Sequence, residues 1–467
     1  MQTVRFNKMQ LQGIHKRYDL SISFHESLTV LHGQNGTGKT TLIHIIANIA
    51  NCDFIRFAFL DFKKIHTWFS DGTEIILTQT GKDISKKIHL TIKKARNKIR
   101  SLEFTKQEAL ESIKQMEDDR IYSHIIDFVA LPKKISQFCE DNNLSIIETA
   151  YFPAFRTMLE AWASQRDHIE SRSSPRSNSK IKGATSFSRK LFGPFLPTIN
   201  FPSPIDIEES LKDEIREAQM RIARYESYIF SDSFVKVFSA LLDNKKPQAD
   251  AETLLEEIFS LSAARAESKL GAHEEMSNTY TKLQFLVSES LKSTNLLANT
   301  TAGALSVYRD ALKESKLVQE QAFSEIDRFL GIVNSFLDKK VLAYELDRNR
   351  RYPKVGLKFP DDSWSPIKVM SSGERQLLTM LYAVNKMSGN SAVLIDEPEL
   401  SLHIDWQEEL LSKMLEQLGD RQIIVCTHSP SIAADFEEYM KEVTPVFKDK
   451  GSENVSLYEV DGDEDYL

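Results

Sequence analysis

Four groups of residues in this chain have the types and spacing to do chemistry on phosphate. The first is Gly33-Gln34-Asn35-Gly36-Thr37-Gly38-Lys39-Thr40, followed by Thr41, which matches G-x4-G-K-[ST] without departure. Glycines at this spacing let backbone N–H groups wrap a polyphosphate, and a following helix would aim its positive N-terminus at the same charge. Lys39 would neutralise the β- and γ-phosphates, and the Thr40 hydroxyl would hold Mg2+. The second group is Val393-Leu394-Ile395-Asp396-Glu397-Pro398, an apolar run that ends in two carboxylates. Buried unpaired charge is costly, so such a tip needs a reason. Asp396 would complete the Mg2+ shell through water, and Glu397 would polarise an attacking water as general base. The third, Ser371-Ser372-Gly373-Glu374-Arg375-Gln376, offers an anion site at a helix start, from the Ser372 hydroxyl, the Gly373 amide and the turn at Glu374. It lies too far along the chain to serve the glycine loop by default. The fourth is Thr427-His428-Ser429-Pro430, in which His428 can hydrogen-bond a γ-phosphate or its attacking water. Taken singly, the serine–glycine turn, the acid pair and the histidine each have a structural explanation. Together, and in this order, they are specific.

The elements that must carry these groups are visible in the apolar pattern. Residues 1–92 hold short apolar segments at 9–14, 20–24, 28–31, 54–60 and 73–78, separated by turn signals such as Asp71-Gly72 and Gly81-Lys82. They predict sheet structure interrupted by one helix over about 40–50. From 93 to 141 the pattern turns helical and charge-rich, and 144–152 reads as a buried strand ended by Pro153. Residues 164–190 carry Arg166, Arg172, Arg176, Lys180, Lys182, Arg189 and Lys190 among many serines, which predicts a mobile basic loop. Beyond it, Leu211, Ile215, Ala218, Ile222, Tyr225 and Ile229, and then Phe323, Ile326, Leu330, Val333 and Leu337, alternate steps of three and four. That is a coiled-coil seam in each of two helices, or the apolar face of two helices on a globular core. Strands return at 340–346 and 354–359 as a hairpin. A helix follows Ser372, an apolar strand covers 392–395, a helix covers 406–418, and a buried strand covers 422–426.

The chain of 467 residues is 27% charged and 41% hydrophobic, with a formal net charge of −8. This length is about three domains' worth, so one core is not expected. No apolar run approaches the ~20 residues of a membrane span, and the N-terminus lacks the apolar core of a signal peptide. Cys52, Cys139 and Cys426 lie far apart and have no metal-ligand spacing. A reduced cytoplasmic protein is expected. A net acidic chain is poorly suited to coating nucleic acid with its whole surface, so any such contact would use a local basic patch.

These motifs resemble those of the ABC-type ATPase heads of the SMC, RecF and double-strand-break-repair class. The resemblance covers residues 1–92, 142–160 and 340–467. It carries Walker A (33–40), the signature (371–376), Walker B (393–397), the D-loop (399–403) and the switch histidine, His428. It implies an α/β fold, an ABC-type P-loop ATPase head assembled from N- and C-terminal segments with an inserted helical or short coiled-coil domain. The expected organisation is 1–92 as the N-terminal lobe, 93–141 a helical insertion and 142–160 a head strand. A basic loop at 161–204, a helical hairpin at 205–339 and the C-terminal lobe at 340–467 complete it. The resemblance further implies ATP and Mg2+ as cofactors and a head-to-head homodimer, with Ser372 and Gly373 acting in trans on the other copy's ATP. A Q-loop glutamine is expected, with Gln79 as the candidate.

Within that class the chain is too short for an SMC arm, and it looks more like the compact ATPases of bacterial phage-defence operons. There Tyr151-Phe152-Pro153-Ala154-Phe155-Arg156 and Glu399-Leu400-Ser401-Leu402-His403 have counterparts. Neither a Toprim nor an HNH nuclease sequence is present, so a nuclease would come from another chain. Length and the short insertion point to the AriA-type ATPases of PARIS systems, with the PtuA type of Septu, partnered by an HNH nuclease, second. The implied partners are further copies of the chain, a Toprim-type AriB-like effector, and a phage trigger, for which an acidic DNA mimic would suit the basic segment. A DNA-binding repair ATPase is the rival reading.

Overall fold

Period-two alternation builds β1 (Phe6–Ile14) and β2 (Tyr18–Ser23), in which Tyr18, Leu20 and Ile22 are buried while Ser21 and Ser23 are exposed. An unbroken apolar run makes β3 (Leu28–His32), and the apolar stretch after the glycine-rich turn makes helix α1 (Lys39–Ala50). Alternation resumes in β4 (Lys64–Phe69), β5 (Glu74–Thr80), β6 (Lys87–Lys94) and β7 (Asn97–Thr105). Then come α2 (Lys106–Glu117), α3 (Ala130–Asp141), β8 (Glu148–Phe152) and α4 (Ser177–Phe192). Helices α5 (Pro204–Leu242), α6 (Ala251–Ala266) and α7 (Asn299–Phe336) lead to β9 (Val341–Glu345), β10 (Lys354–Lys358), β11 (Trp364–Ser365) and α8 (Ser372–Lys386). The last elements are β12 (Ser391–Asp396), α9 (Ile404–Leu415), β13 (Gln422–Cys426), β14 (Met440–Glu442) and β15 (Val446–Phe447). This computed structural model describes residues 3–94, 97–117, 130–144, 147–156, 158–159, 177–242, 251–266, 299–346, 353–386, 391–419, 421–433 and 435–447.

The chain divides into two units. The first comprises Met1–Asn200, Ser388–Leu400 and Leu418–Leu467, and contains two sheets. One is antiparallel, in the order β15-β2-β1-β4-β5-β6-β7; the other is parallel, in the order β14-β3-β13-β12-β8. Every residue of β13 is buried, as expected for a parallel strand covered on both faces. The register sets Leu31 of β3 beside Cys426 of β13, and Cys426 beside Asp396 of β12. Three neighbouring strands therefore finish level along one edge, and the carboxyl edge of a parallel sheet is where ligands sit. Gln422 ties the two sheets. Its buried amide donates to the carbonyls of Phe6 (3.0 Å) and His25 (2.7 Å) and accepts from the Phe6 N–H (3.0 Å).

The second unit comprises Phe201–Met387 and Ser401–Gln417. The seam residues Leu211, Ile215, Ala218, Ile222 and Ile229 of α5 are buried, as are Phe323, Ile326, Leu330 and Val333 of α7. The two long helices pack on each other, with the Tyr225 hydroxyl donating to Glu314 at 2.6 Å. Leu255 and Ile258 of α6 form a small core with Leu312 of α7. Strands β9, β10 and β11 form an antiparallel sheet, and Asn334 of α7 holds both the N–H and the carbonyl of Leu342 in β9.

Four expectations need correction. Residues 54–60 do not form a strand; Phe54–Phe59 is a 3-10 turn whose residues Phe54 to Ala58 are all buried, a burial pattern without strand alternation. The segment from 93 does not begin as helix, because β7 extends the sheet with Leu102 and Phe104 buried and Ser101 and Glu103 exposed. The basic loop is not a loop over its second half, which is α4, with Thr185 and Ser188 buried and Arg189 bonded to the Leu196 carbonyl and Asp53. Its first half, 160–176, lies outside the described residues. Finally, residues 340–387 group with the helices of the second unit rather than with the P-loop.

Candidate functional site

The site starts from glycine stereochemistry. Gly38 takes φ +92°, and a Cβ there would land on the Tyr18 hydroxyl, so only glycine lets α1 begin this close to β2. Gly38 caps α1 without any side-chain hydrogen bond, and the first turn holds no acidic residue. The orphan N–H groups of that turn and the positive end of the helix are therefore available to an anion. Lys39 is buried, and its Nζ donates to the carbonyls of Gly33 (2.9 Å) and Gln34 (3.0 Å). Burial pushes the Lys39 pKa down, against the pull of Asp396 and Glu397. Thr37 closes the loop by donating to the Gln34 carbonyl at 3.0 Å.

The tip of β12 meets this loop. The Thr40 hydroxyl donates to Oδ2 of Asp396 at 2.9 Å, joining residues at opposite ends of the chain. Burial raises the Asp396 pKa to about 6, opposed by the Thr40 hydrogen bond and reinforced by the neighbouring Glu397 charge. Glu397 sits at φ +51°, in the left-handed region, with its N–H donating to the Cys426 carbonyl at 2.8 Å. At the end of β13, Oε1 of Glu399 accepts from the Thr427 hydroxyl (2.8 Å) and from the N–H groups of His428 (2.8 Å) and Ser429 (3.1 Å). One carboxylate thus sets the turn that carries His428. The result is a cleft of about 490 Å³ lined by Asn35, Gly36, Gly38, Lys39, Thr40, Thr41, Asp396, Glu397 and His428.

Four further residues line the cleft that sequence reasoning missed: His15, Arg17, Tyr18 and Phe447. Phe447 arrives on the short strand β15, which pairs with β2 and sets its ring 6.0 Å from that of Tyr18. The Gly-x4-Gly-Lys motif announces none of these; a polar–aromatic cluster at the β1–β2 turn was the available hint. Gln79 is not among the lining residues. Its amide donates to the Leu60 carbonyl at 3.0 Å and accepts from the Phe62 N–H at 3.4 Å.

The cleft suits a magnesium nucleotide. Hard oxygen donors from Thr40 and Asp396 stand together, and a cation there would relieve the charge that a buried acid beside Glu397 otherwise carries. Among the described residues no cluster of three or more His, Cys, Asp or Glu side chains could hold a metal alone.

Ser372, Gly373 and Glu374 lie in the second unit, at the start of α8. Ser371 and Glu374 form a capping box: the Glu374 carboxylate accepts from the Ser371 N–H at 2.8 Å, and the Ser371 hydroxyl accepts from the Glu374 N–H at 3.3 Å. Lys340 also bonds Glu374 at 2.9 Å. That carboxylate is thus engaged within its own turn and by Lys340, while Ser372 beside it is exposed. A Cβ on Gly373 would lie 2.5 Å from the Ser401 carbonyl, so glycine is also required by packing.

One curated relative is the "Retron Ec83 probable ATPase" of Escherichia coli, 25% identical over 257 residues, covering 50% of this chain and 43% of the relative. The chain therefore spans less than half the length of that protein. Solved structures include the Smc head domain of Pyrococcus furiosus bound to the C-terminal domain of ScpA, 13% identical over 95% of this chain and 96% of that one, with a TM-score of 0.36. The Smc head domain of Pyrococcus yayanosii with a coiled coil and joint is 14% identical over 92% and 93%, with a TM-score of 0.32. Among the described residues no helix is long and apolar enough to cross a membrane. Residues 15–433 match the AAA ATPase domain model, AAA_15, and the chain belongs to that family of ATPases.

Proposed function

We propose that the cleft at the carboxyl edge of the parallel sheet binds ATP with Mg2+ and hydrolyses it. The observation that carries this reading is the convergence of β3, β12 and β13. It brings Lys39, Thr40, Asp396, Glu397 and His428 to one cleft from distant stretches of sequence. Gly33 to Thr41 cradle the phosphates, and Lys39 leaves its two loop carbonyls for the γ-phosphate. Thr40 and Asp396 hold the ion, which when bound would draw charge from the phosphate oxygens. Glu397 takes the proton from the attacking water, and His428 steadies that water or the γ-phosphate. Ser372 and the Gly373 amide complete the site of a second copy, so the working unit is a homodimer or a larger ring of copies. The test is phosphate release and equilibrium ATP binding by Glu397→Gln and Lys39→Ala proteins. Loss of turnover with retained binding in the first, and loss of binding in the second, supports the assignment; wild-type turnover by Glu397→Gln removes Glu397 as the base.

At the level of the cell, the reading is an ATP-driven sensor and scaffold of a bacterial anti-phage complex that holds a separate Toprim-type nuclease and releases it on a phage trigger, as in PARIS. Similarity to a retron ATPase over half the chain supports the defence setting. Co-expression with the product of the adjacent gene tests it. A nuclease that co-purifies and is released under ATP turnover supports the proposal; direct, salt-sensitive DNA binding without an effector favours the repair reading.

A further inference from the structure

The segment Tyr151-Phe152-Pro153-Ala154-Phe155-Arg156 runs off the end of β8, whose Phe152 pairs with Ile395 of β12. Its last residue is 1% exposed and ranks among the largest fully buried side chains. The Arg156 guanidinium does not face the cleft. It points into the turn that follows Asp396 and gathers main-chain oxygens: NH1 donates to the carbonyls of Pro153 (3.3 Å) and Asp396 (3.0 Å), and NH2 to those of Glu397 (2.9 Å), Pro398 (3.2 Å) and Leu400 (3.3 Å).

This turn needs holding. It leaves the sheet ladder after the Glu397 N–H, and within the turn the Leu400 N–H donates to the Glu397 carbonyl at 3.2 Å. At its first residue Glu397 adopts φ +51°, which costs an L side chain and persists only when surroundings over-determine it. A planar fork with five N–H donors can satisfy several carbonyls in one plane; a single ammonium cannot. The same turn then delivers Glu399, whose Oε1 fixes the Thr427–Ser429 backbone. One buried cation therefore stands behind both the acid tip of β12 and the histidine turn of β13.

We propose that Arg156 is a positioning residue for ATP hydrolysis: its guanidinium clamps the Asp396–Leu400 turn and so holds the Glu397 carboxylate at the cleft and Glu399 under His428. The proposal rests on the reading of Glu397 as general base. The carbonyls that Arg156 bonds lie outside the glycine loop and Lys39, so nucleotide affinity should survive its loss while the chemical step should not.

The experiment measures kcat, KM and equilibrium binding of a fluorescent ATP analogue for the full chain carrying Arg156→Lys, Arg156→Ala, Glu397→Gln and the double variant Arg156→Lys/Glu397→Gln. Arg156→Lys should lower kcat on the order of 10²-fold with binding changed less than about threefold. The double variant should turn over no more slowly than Glu397→Gln alone, because two changes acting through one group do not add. Guanidinium ion at millimolar concentration should restore part of the kcat of Arg156→Ala and none of Glu397→Gln. Wild-type kcat for Arg156→Lys beside an inactive Glu397→Gln overturns the clamp alone; wild-type turnover by Glu397→Gln overturns the base assignment, and the clamp with it. Additive losses in the double variant also overturn the proposal. Should Arg156→Ala fail to fold, Arg156→Lys and Arg156→Gln, which keep most of the buried volume, carry the comparison; if all three unfold, Arg156 serves the fold and the proposal is wrong.

Discussion

Two helix starts in this molecule carry the glycine-containing motifs, and they are finished differently. Helix α1 begins at Gly38 with no side-chain cap and no acid in its first turn, beside buried Lys39 and an open cleft. Helix α8 is closed by its own residues, through the Ser371–Glu374 capping box and Lys340. A helix start without its own cap leaves its N–H groups to water or a ligand; a capped one has fewer of them to offer. In α8 the residue exposed beside the cap is Ser372. On the function proposed above, the contrast separates a binding site that this chain builds from its own distant segments from a surface offered to a second copy.

The largest expected effects fall on the α1 side. Glu397→Gln should reduce turnover at least about 10²-fold while ATP still binds, because Lys39, Thr40 and Asp396 remain. Lys39→Ala should instead weaken binding itself. Phosphate release set beside a binding titration separates the two, and equal loss of binding in both variants would blur the assigned roles.

Next in size is the α8 side. Ser372→Arg should abolish turnover with ATP binding kept, and mixing it with Lys39→Ala protein should restore part of the activity. A mixed pair can hold one site with an intact loop and an intact signature. No recovery, from folded proteins that exchange subunits, would place the action of Ser372 within its own chain.

How much of this was legible beforehand depends on whether a residue's partner is near in sequence or signalled by type. The glycine loop announces itself, and the buried strands 392–395 and 422–426 lie within β12 and β13 because an all-apolar run has few alternatives. The long seams of α5 and α7 were equally visible, and most of their residues are buried. What stayed hidden was tertiary. Arg156 bonds carbonyls some 240 positions away, and a carbonyl has no residue identity to read. Phe447 reaches the cleft only because β15 adds to the edge of β2. Serines and lysines in α4 suggested a loop, yet Thr185 bonds the Ile199 N–H, and Arg189 bonds the Leu196 carbonyl and Asp53. Composition cannot display those long-range partners.

A smaller effect concerns the fold beneath α1. His44 is half-buried on that helix with its Nε2 2.8 Å from the Tyr151 hydroxyl, and desolvation of its ring lowers its pKa to about 4. In the unfolded chain a histidine titrates near ~6.5. Between those values the unfolded state binds a proton that the folded state refuses, so stability falls as pH drops from about 6.5 towards 4. One full pH unit inside that window is worth about 1.4 kcal/mol. Denaturant unfolding at pH 7 and pH 5 should therefore show roughly 2 kcal/mol of acid loss that His44→Gln does not share. A variant that loses as much as the wild type would place the acid sensitivity elsewhere.

The smallest effect returns to the capped helix and tests the contrast directly. Ser371→Ala removes the hydroxyl that accepts from the Glu374 N–H, but leaves Ser372 and the Gly373 amide in place. Removing such a cap typically costs about 1 kcal/mol. The loss should appear in thermal unfolding of the second unit, and binding of ATP at α1 should not change, since the loop, Lys39 and Asp396 are untouched. Turnover should fall by no more than about fivefold, the equivalent of that same cost if it is felt wholly in how Ser372 is presented. If Ser371→Ala instead lost as much turnover as Ser372→Arg while remaining folded, Ser371 would itself be the contacting hydroxyl. The start of α8 would then be a ligand site like that of α1, and the two helix ends would differ only in which copy supplies the phosphate.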